Sequence, residues 1–379
     1  MSKPALLITD GECSFCQNAA RWLSKKFPGN WENRPNNTID ISVYGLTKTE
    51  ADHQVWYLLP YLNGYRKYGG AKAIAKLLLQ QKKKWVKPFA LLIFLPVISQ
   101  ISQAIYRLVA NNRDKLTWMF KEPNTKILLV GIDGLLLHRA IDSGRARHLK
   151  HLRDSSFFVD TVVDMPTISG PSWSTLLTGK RQEIHKVTDN YFENHSLSSA
   201  PDFLTRAKLK KPELVTYAAA GWPPLIDPND LGPVISEAGH IKFHNDGEKL
   251  GYLQVDKEVL DHALQTISEL KPDLSFVYFC GVDEAGHKYG SIDDPYFEAV
   301  ERIDGYLAQI HSEIAKHSEQ WLLVVVTDHG HRDEGGHGGD SAQERASFVI
   351  AHGINREHPN WPKDIQPHDL ADLLLQLID

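Results

Sequence analysis

With 379 residues, 42% of them hydrophobic and 23% charged, the chain is too long for one ordinary domain and too apolar to be disordered. Residues 1–115 hold 17 Lys and Arg against 7 Asp and Glu, whereas the remainder carries a net charge of −15, so the two parts present opposite fields to their surroundings. Three cysteines, two of them in Cys13-Ser-Phe-Cys16, make no disulfide framework, and the N-terminus lacks the basic-then-apolar pattern of a signal peptide; a reducing, cytoplasmic setting is expected.

The chain opens with Ala5-Leu-Leu-Ile-Thr9, a strand pattern that ends at Asp10-Gly11, and Cys13 begins a helical pattern through Ala19, Ala20, Trp22 and Leu23. Pro28, Gly29 and an Asn/Pro cluster over 33–37 close that unit. Strand-like runs follow at Ile41-Ser-Val-Tyr44 and 55–59, and after Gly69-Gly70 helical periodicity persists to about Arg113. Within it, 85–101 is apolar but broken by Lys87, Pro88 and Pro96, and it falls short of the roughly 20 residues a bilayer span needs. It reads as a buried helix or, at most, a membrane-surface segment. Lys82-Lys83-Lys84 beside Trp85 admits contact with nucleic acid or anionic lipid, but a solvated basic face is the simpler account, and there is no strong nucleic-acid signal. A polar connector at 121–125 sets a boundary near 120, giving domains 1–118 and 124–379.

The second block alternates strand patterns (126–132, 213–218, 274–279, 322–326, 347–350) with helical ones (257–270, 295–316), which argues for a largely parallel sheet flanked by helices. Three of its apolar strands each deliver a carboxylate at or just past the C-terminal end, namely Asp133, Asp283 and Asp328. In open α/β sheets that edge is where ligands bind. Asp283 and His287 stand four apart, so on a helical turn both reach the same ion. Asp328 and His329 are adjacent at a strand end, and Gly335-Gly336-His337-Gly338-Gly339 is a loop able to bring a further imidazole back. So many anions gathered together need cations, and the pattern points to a two-metal enzyme. A nucleophile is expected in Met165-Pro-Thr-Ile-Ser169-Gly-Pro-Ser172, where a loop meets a helix and the free N–H groups and helix dipole favour a phosphate. The residues alone leave Thr167, Ser169 and Ser172 open.

Through Gly131-Ile-Asp133-Gly134, Pro166-Thr-Ile-Ser169, Asp283-Glu-Ala-Gly-His287 and Thr327-Asp328-His329-Gly330 with His337, residues 126–379 resemble the type I phosphodiesterase/nucleotide pyrophosphatase branch of the alkaline phosphatase superfamily. The resemblance implies an α/β/α sandwich with a mostly parallel sheet. It implies hydrolysis of phosphodiester or pyrophosphate bonds in a small phosphoester, with Ser169 attacking phosphorus to form a covalent intermediate. It further implies two Zn²⁺ ions, or Mn²⁺ or another divalent ion in their place. One would be held by Asp133, Ser169, Asp328 and His329, the other by Asp283, His287 and His337. Asn190 would bond a non-bridging phosphate oxygen, and His331, Asp333 and Glu334 would take supporting or loop positions. Where nucleotide-binding members carry an aromatic followed by Pro-Asn, this chain has Gly170, Pro171 and Ser172; nucleotide stacking there is not expected, and small Gly170 suggests room for a second ester group. Trp173 or Trp222 is the alternative platform. A phosphomonoesterase of the same superfamily is the rival reading.

Asp10-Gly11-Glu12-Cys13-Ser-Phe-Cys16 and Tyr68-Gly-Gly-Ala-Lys-Ala73 resemble the DCC family of thiol-disulfide oxidoreductases. That resemblance implies a thioredoxin-like domain with Cys13, the exposed first thiol, and Cys16 as a redox pair acting on a thiol partner. A structural or docking domain whose thiols are incidental is the competing view, and a further rival makes redox chemistry primary with the hydrolase-like domain regulating it.

Overall fold

The computed structural model describes residues 3–62, 64–113, 115–116, 125–236 and 239–378, and its contacts divide the chain into two units, 1–122 and 123–379. Residues 121–124 of the expected connector lie outside the described residues.

In the first unit, β1 (Ala5–Thr9), β2 (Trp31–Pro35), β3 (Trp56–Tyr61) and β4 (Gly64–Gly69) form a sheet in the order β2-β1-β3-β4. β1 pairs parallel with β2 and antiparallel with β3, so the helix Ser14–Lys26 is the crossover of a βαβ unit. This is the thioredoxin-like arrangement expected. All five residues of β1 are buried, which is why its sequence runs continuously apolar rather than alternating. Ile41–Tyr44 is a 3-10 helix, not a strand. Its β-branched residues are overruled by Asp40, whose carboxylate accepts from the Ser42 N–H at 3.0 Å, and by Gly45 at φ +64°.

Cys13 caps the helix Ser14–Lys26, its sulfur accepting from the Cys16 N–H at 3.2 Å. Contrary to expectation it is buried, and the half-buried thiol is that of Cys16. Cys16 lines an apolar cavity of about 320 Å³ with Phe15, Ala19, Val55 and Tyr106. Burial first, and the neighbouring Cys13 second, push the Cys16 thiol up to about 12, against the pull of Arg113.

The second unit holds a seven-stranded sheet built from β5 (Lys126–Ile132), β6 (Phe157–Val162), β7 (Thr216–Ala220), β8 (Ile241–His244), β9 (Leu274–Phe279), β10 (Trp321–Val326) and β11 (Ala346–Ile354). Their order is β6-β11-β10-β5-β9-β7-β8, and only β11 runs against the rest. Ile127 and Leu129 face one core layer, and Leu128, Val130 and Ile132 the other, so helices cover both faces of the sheet. The order matters for the site. β5 lies between β10 and β9 with Val326 opposite Gly131 and Ile132 opposite Phe279, which lines up the three C-terminal ends that carry Asp328, Asp133 and Asp283.

Candidate metal centre

Asp133 leaves β5 with its side chain completely buried. One oxygen, Oδ2, accepts from the Trp173 Nε1–H at 2.9 Å and from the Tyr278 hydroxyl at 2.6 Å, while Oδ1 has no hydrogen-bond partner. The anchored oxygen therefore aims the other one into the site. Asp328 is arranged likewise: Oδ1 faces the Gly134 N–H at 3.4 Å and Oδ2 is unpartnered. The Nδ1–H of His329 points at the Gly330 carbonyl, 3.2 Å away, so the lone pair is on Nε2, which lies 3.4 Å from Asp133 Oδ1 and 3.3 Å from Asp328 Oδ2.

A second group adjoins it. Asp283 and His287 sit on the helix Gly281–Tyr289, with Asp283 Oδ2 3.5 Å from His287 Nε2. His337 arrives from the glycine loop, and its Nδ1–H donates to the Thr167 carbonyl at 2.6 Å. That bond leaves the His337 Nε2 lone pair facing His287 Nε2 at 2.9 Å and Asp283 Oδ1 at 3.6 Å. Two imidazole nitrogens directed at one carboxylate are a cation-binding arrangement. His331, assigned to a supporting position, is buried and reaches Asp283 Oδ1 at 2.8 Å, so it either orients Asp283 or joins a group with Asp283 and His329. The alternation of His329 and His331 along the chain was the signal for it. Asp333 and Glu334 are exposed, Asp333 pairing with Arg139 at 2.6 Å.

Electrostatics test whether these residues suit cations. Burial, then the Asp133 charge, pushes the Asp328 carboxyl well above the usual range and raises Asp283 from 3.8 to about 7. Burial and the surrounding imidazoles hold His329 well below its ordinary value, so it is neutral and able to ligate. Packed carboxylates with unpartnered oxygens among neutral imidazoles fit divalent ions, whose charge reverses the cost of burying the carboxylates together. Space is kept as well: at Gly134, φ +66°, a Cβ would lie 2.7 Å from His331 Nε2 and 2.9 Å from Asp283 Oδ1. A stability prediction follows for metal-free protein. A carboxyl whose folded pKa lies above its unfolded value stabilises the fold below about 4 and loses that contribution as pH rises through about 7. Buried histidines held below their ordinary value, His329 and His331 among them, act in the opposite sense, so the contrast to measure is the ion's. A divalent ion binds charged carboxylates and neutral imidazoles, and its addition after chelation should raise the melting temperature more at pH 8 than at pH 5; an equal increment at both would contradict this.

Ser169 opens the helix Ser169–Thr178, buried, with Oγ 3.2 Å from His329 Nε2. The other two candidates point elsewhere. Thr167 Oγ1 donates to the Gly339 carbonyl and accepts from the Gly338 N–H, each at 2.9 Å, and Ser172 lines a different cavity with Met165 and Arg181. The backbone amides at this helix end are less free than expected. Gly170 N–H donates to Asn190 Oδ1 at 2.7 Å, Pro171 has none, and Ser172 N–H returns to the Ile168 carbonyl. Asn190 is thereby held by its oxygen, and it lines the cleft.

Nor does Gly170 provide open room. A Cβ there would meet the Asp189 carbonyl at 2.6 Å, so the 189–190 loop fills the space and excludes an aromatic side chain. Trp173 is fully buried core, whereas Trp222 lines the cleft. The cleft, about 410 Å³, is lined by Ser169, Asn190, Trp222, Glu248, Tyr252 and Glu284 among others, and no Lys or Arg is among its lining residues.

Comparison with known proteins matches both units. The family model for type I phosphodiesterase / nucleotide pyrophosphatase matches residues 127–343, and that for DCC1-like thiol-disulfide oxidoreductase matches residues 7–119. GPI ethanolamine phosphate transferase 2 of Aspergillus fumigatus is 25% identical over 217 residues, which is 55% of this chain and 27% of the relative. The chain spans less than a third of the length of the curated relatives it matches. Phosphonoacetate hydrolase from Sinorhizobium meliloti 1021, solved with phosphonoformate, superposes with a TM-score of 0.52 at 15% identity, over 68% of this chain and 96% of that one. Murine ectonucleotide pyrophosphatase / phosphodiesterase 5, solved with AMP, superposes with a TM-score of 0.51 at 16% identity, over 67% and 95%. At these identities the likeness is one of fold, the alkaline-phosphatase-like α/β sandwich.

Proposed function

The chain belongs to the type I phosphodiesterase / nucleotide pyrophosphatase family, and from that premise we propose that it breaks phosphodiester bonds by transfer of the phosphoryl group to Ser169. One observation carries the reading: Ser169 Oγ stands at the head of a buried helix, 3.2 Å from His329 Nε2, beside the unpartnered Oδ1 of Asp133 and Oδ2 of Asp328. Asp133, Asp328, His329 and Ser169 would hold one divalent ion, zinc being the natural choice for nitrogen and carboxylate donors, and Asp283, His287 and His337 a second. Bound there, the ions supply Lewis-acid charge to the oxygens that gain negative charge during phosphoryl transfer.

The chain's own groups do the rest. Trp173 and Tyr278 fix the Asp133 carboxylate, and the Gly330 and Thr167 carbonyls fix the ring orientations of His329 and His337. Ser169 Oγ gives up its proton to solvent and forms a bond to phosphorus as the bond from phosphorus to the leaving oxygen breaks, that oxygen taking a proton from solvent to leave as alcohol. Asn190, braced by Gly170, offers its amide to a phosphate oxygen and positions it without adding charge. A second oxygen nucleophile, from water or an alcohol, then displaces Oγ and frees the serine. Water makes the reaction a hydrolysis; an alcohol makes it the kind of transfer for which the ethanolamine phosphate transferases are named.

The cleft favours a diester with a positively charged alcohol. Glu248 and Glu284 are its exposed charged residues besides the metal-ligand set, and Tyr252, whose hydroxyl donates to Glu248 at 2.9 Å, and Trp222 stand beside them. Carboxylates with aromatic faces suit an ammonium group. A dianionic monoester finds no Lys or Arg in the lining to balance its extra charge. The expected order of kcat/KM is p-nitrophenyl phosphorylcholine above bis-p-nitrophenyl phosphate above p-nitrophenyl phosphate. Steps of about tenfold would correspond to ~1.4 kcal/mol each in transition-state stabilisation. A preference for the monoester would overturn the diester reading in favour of a phosphomonoesterase.

A further inference from the structure

The apolar stretch 85–101 is not a buried helix. The helix Lys87–Leu92 and the helix Pro96–Asn111 leave Trp85, Phe89, Leu91, Leu92, Leu95 and Val97 exposed, Trp85 and Phe89 at 67% and Val97 at 70%. Along the second helix Val97, Ile101, Ile105 and Leu108, all more than half exposed, recur at the spacing of one narrow helical stripe. The opposite stripe holds the helix to its own unit. Gln103 accepts from the Ala71 N–H at 3.2 Å, the Tyr106 hydroxyl accepts from the Val55 N–H at 2.8 Å, and Tyr106 and Ala110 wall the cavity beside Cys16. The helix is thus anchored by one face with its most apolar side chains turned to solvent, a patch that ordinary soluble surfaces avoid.

Along the sequence, the segment that carries this patch has charge of one sign. From Gln54 to Arg113 the chain has ten Lys and Arg and no Asp or Glu. Exposed Lys82 and Lys83 lead into Trp85, and exposed Arg107 adjoins Leu108. A second copy pairing patch on patch is a poor occupant, since it would set cations against cations. Nucleic acid would match the charge but not the aliphatic stripe. An anionic bilayer matches both, because the basic side chains meet phosphate headgroups while the aromatic and aliphatic ones enter the acyl boundary. Among the described residues no helix is long and apolar enough to cross a membrane, so the contact would be superficial. We propose that residues 82–108 dock the protein onto anionic phospholipid membranes, lying in the interface along the helix Pro96–Asn111. The proposal stands apart from the reading of the metal centre.

Co-sedimentation of the full chain with vesicles tests it. Protein should pellet with phosphatidylcholine vesicles containing about a third phosphatidylserine, at least tenfold more than with phosphatidylcholine alone, and be released in about 0.5 M salt. The pair Ile101→Glu and Leu108→Glu, at exposed positions, should lose that binding, and separately Lys82→Glu with Lys83→Glu should weaken it severalfold. Both variants should keep the wild-type circular dichroism and turnover of soluble bis-p-nitrophenyl phosphate. Absence of binding by the wild type, or undiminished binding by the Ile101/Leu108 variant, would overturn the proposal. So would a wild-type oligomer that this variant converts to monomer, which would assign the patch to protein contact.

Discussion

Ser169→Ala should lower kcat for phosphodiesters by three orders of magnitude or more, roughly the scale on which loss of an activated nucleophile acts, with little change in stability. The small stability effect follows from the surroundings. The Ser169 hydroxyl makes one contact, with His329 Nε2, and alanine fits the same helix end. Thr167→Ala should behave differently. Its hydroxyl bridges the Gly339 carbonyl and the Gly338 N–H, so its loss loosens the loop bearing His337 and should cost activity only moderately, through weaker metal retention. Steady-state kinetics on the two variants distinguishes them; an active Ser169→Ala protein beside a dead Thr167→Ala protein would move the nucleophile two residues and discard the assignment.

Asp283→Asn should lower turnover by at least two orders of magnitude and reduce bound metal by about one ion per chain. Asp283 is the only carboxylate of the group with His287 and His337, and it also meets His331. Asparagine keeps its shape, so folding should survive, and the lost charge even relieves the repulsion that raises Asp328. Metal analysis beside kinetics gives the check; an unchanged stoichiometry would place the second ion elsewhere.

The cluster of candidate ligands was legible because strand ends carry it. β5, β9 and β10 are apolar but for Lys126 and Ser275 and buried on both faces, and the residues just past them are conspicuous as Asp133, Asp283, Asp328 and His329. The orienting groups were not legible, since Trp173 and Tyr278 lie 40 and 145 residues from Asp133 along the chain, and nothing local distinguishes them from core aromatics. The room read into Gly170 failed for the same reason, because the 189–190 loop that fills it arrives from outside the motif. Short polar edge strands escaped notice: β2, Trp31–Pro35, ends in a proline at the sheet margin, and β4 pairs only with β3. The stretch 85–101 misled through its composition, which cannot tell a helix buried in protein from one exposed on its surface.

Turnover by metal-free protein tests the central claim most directly. Protein stripped with chelator, dialysed and assayed for metal should lose activity toward bis-p-nitrophenyl phosphate in proportion to the ions removed. Added Zn²⁺ or Mn²⁺ should restore it as about two ions per chain return. Full turnover by a protein shown to hold no metal would contradict the account.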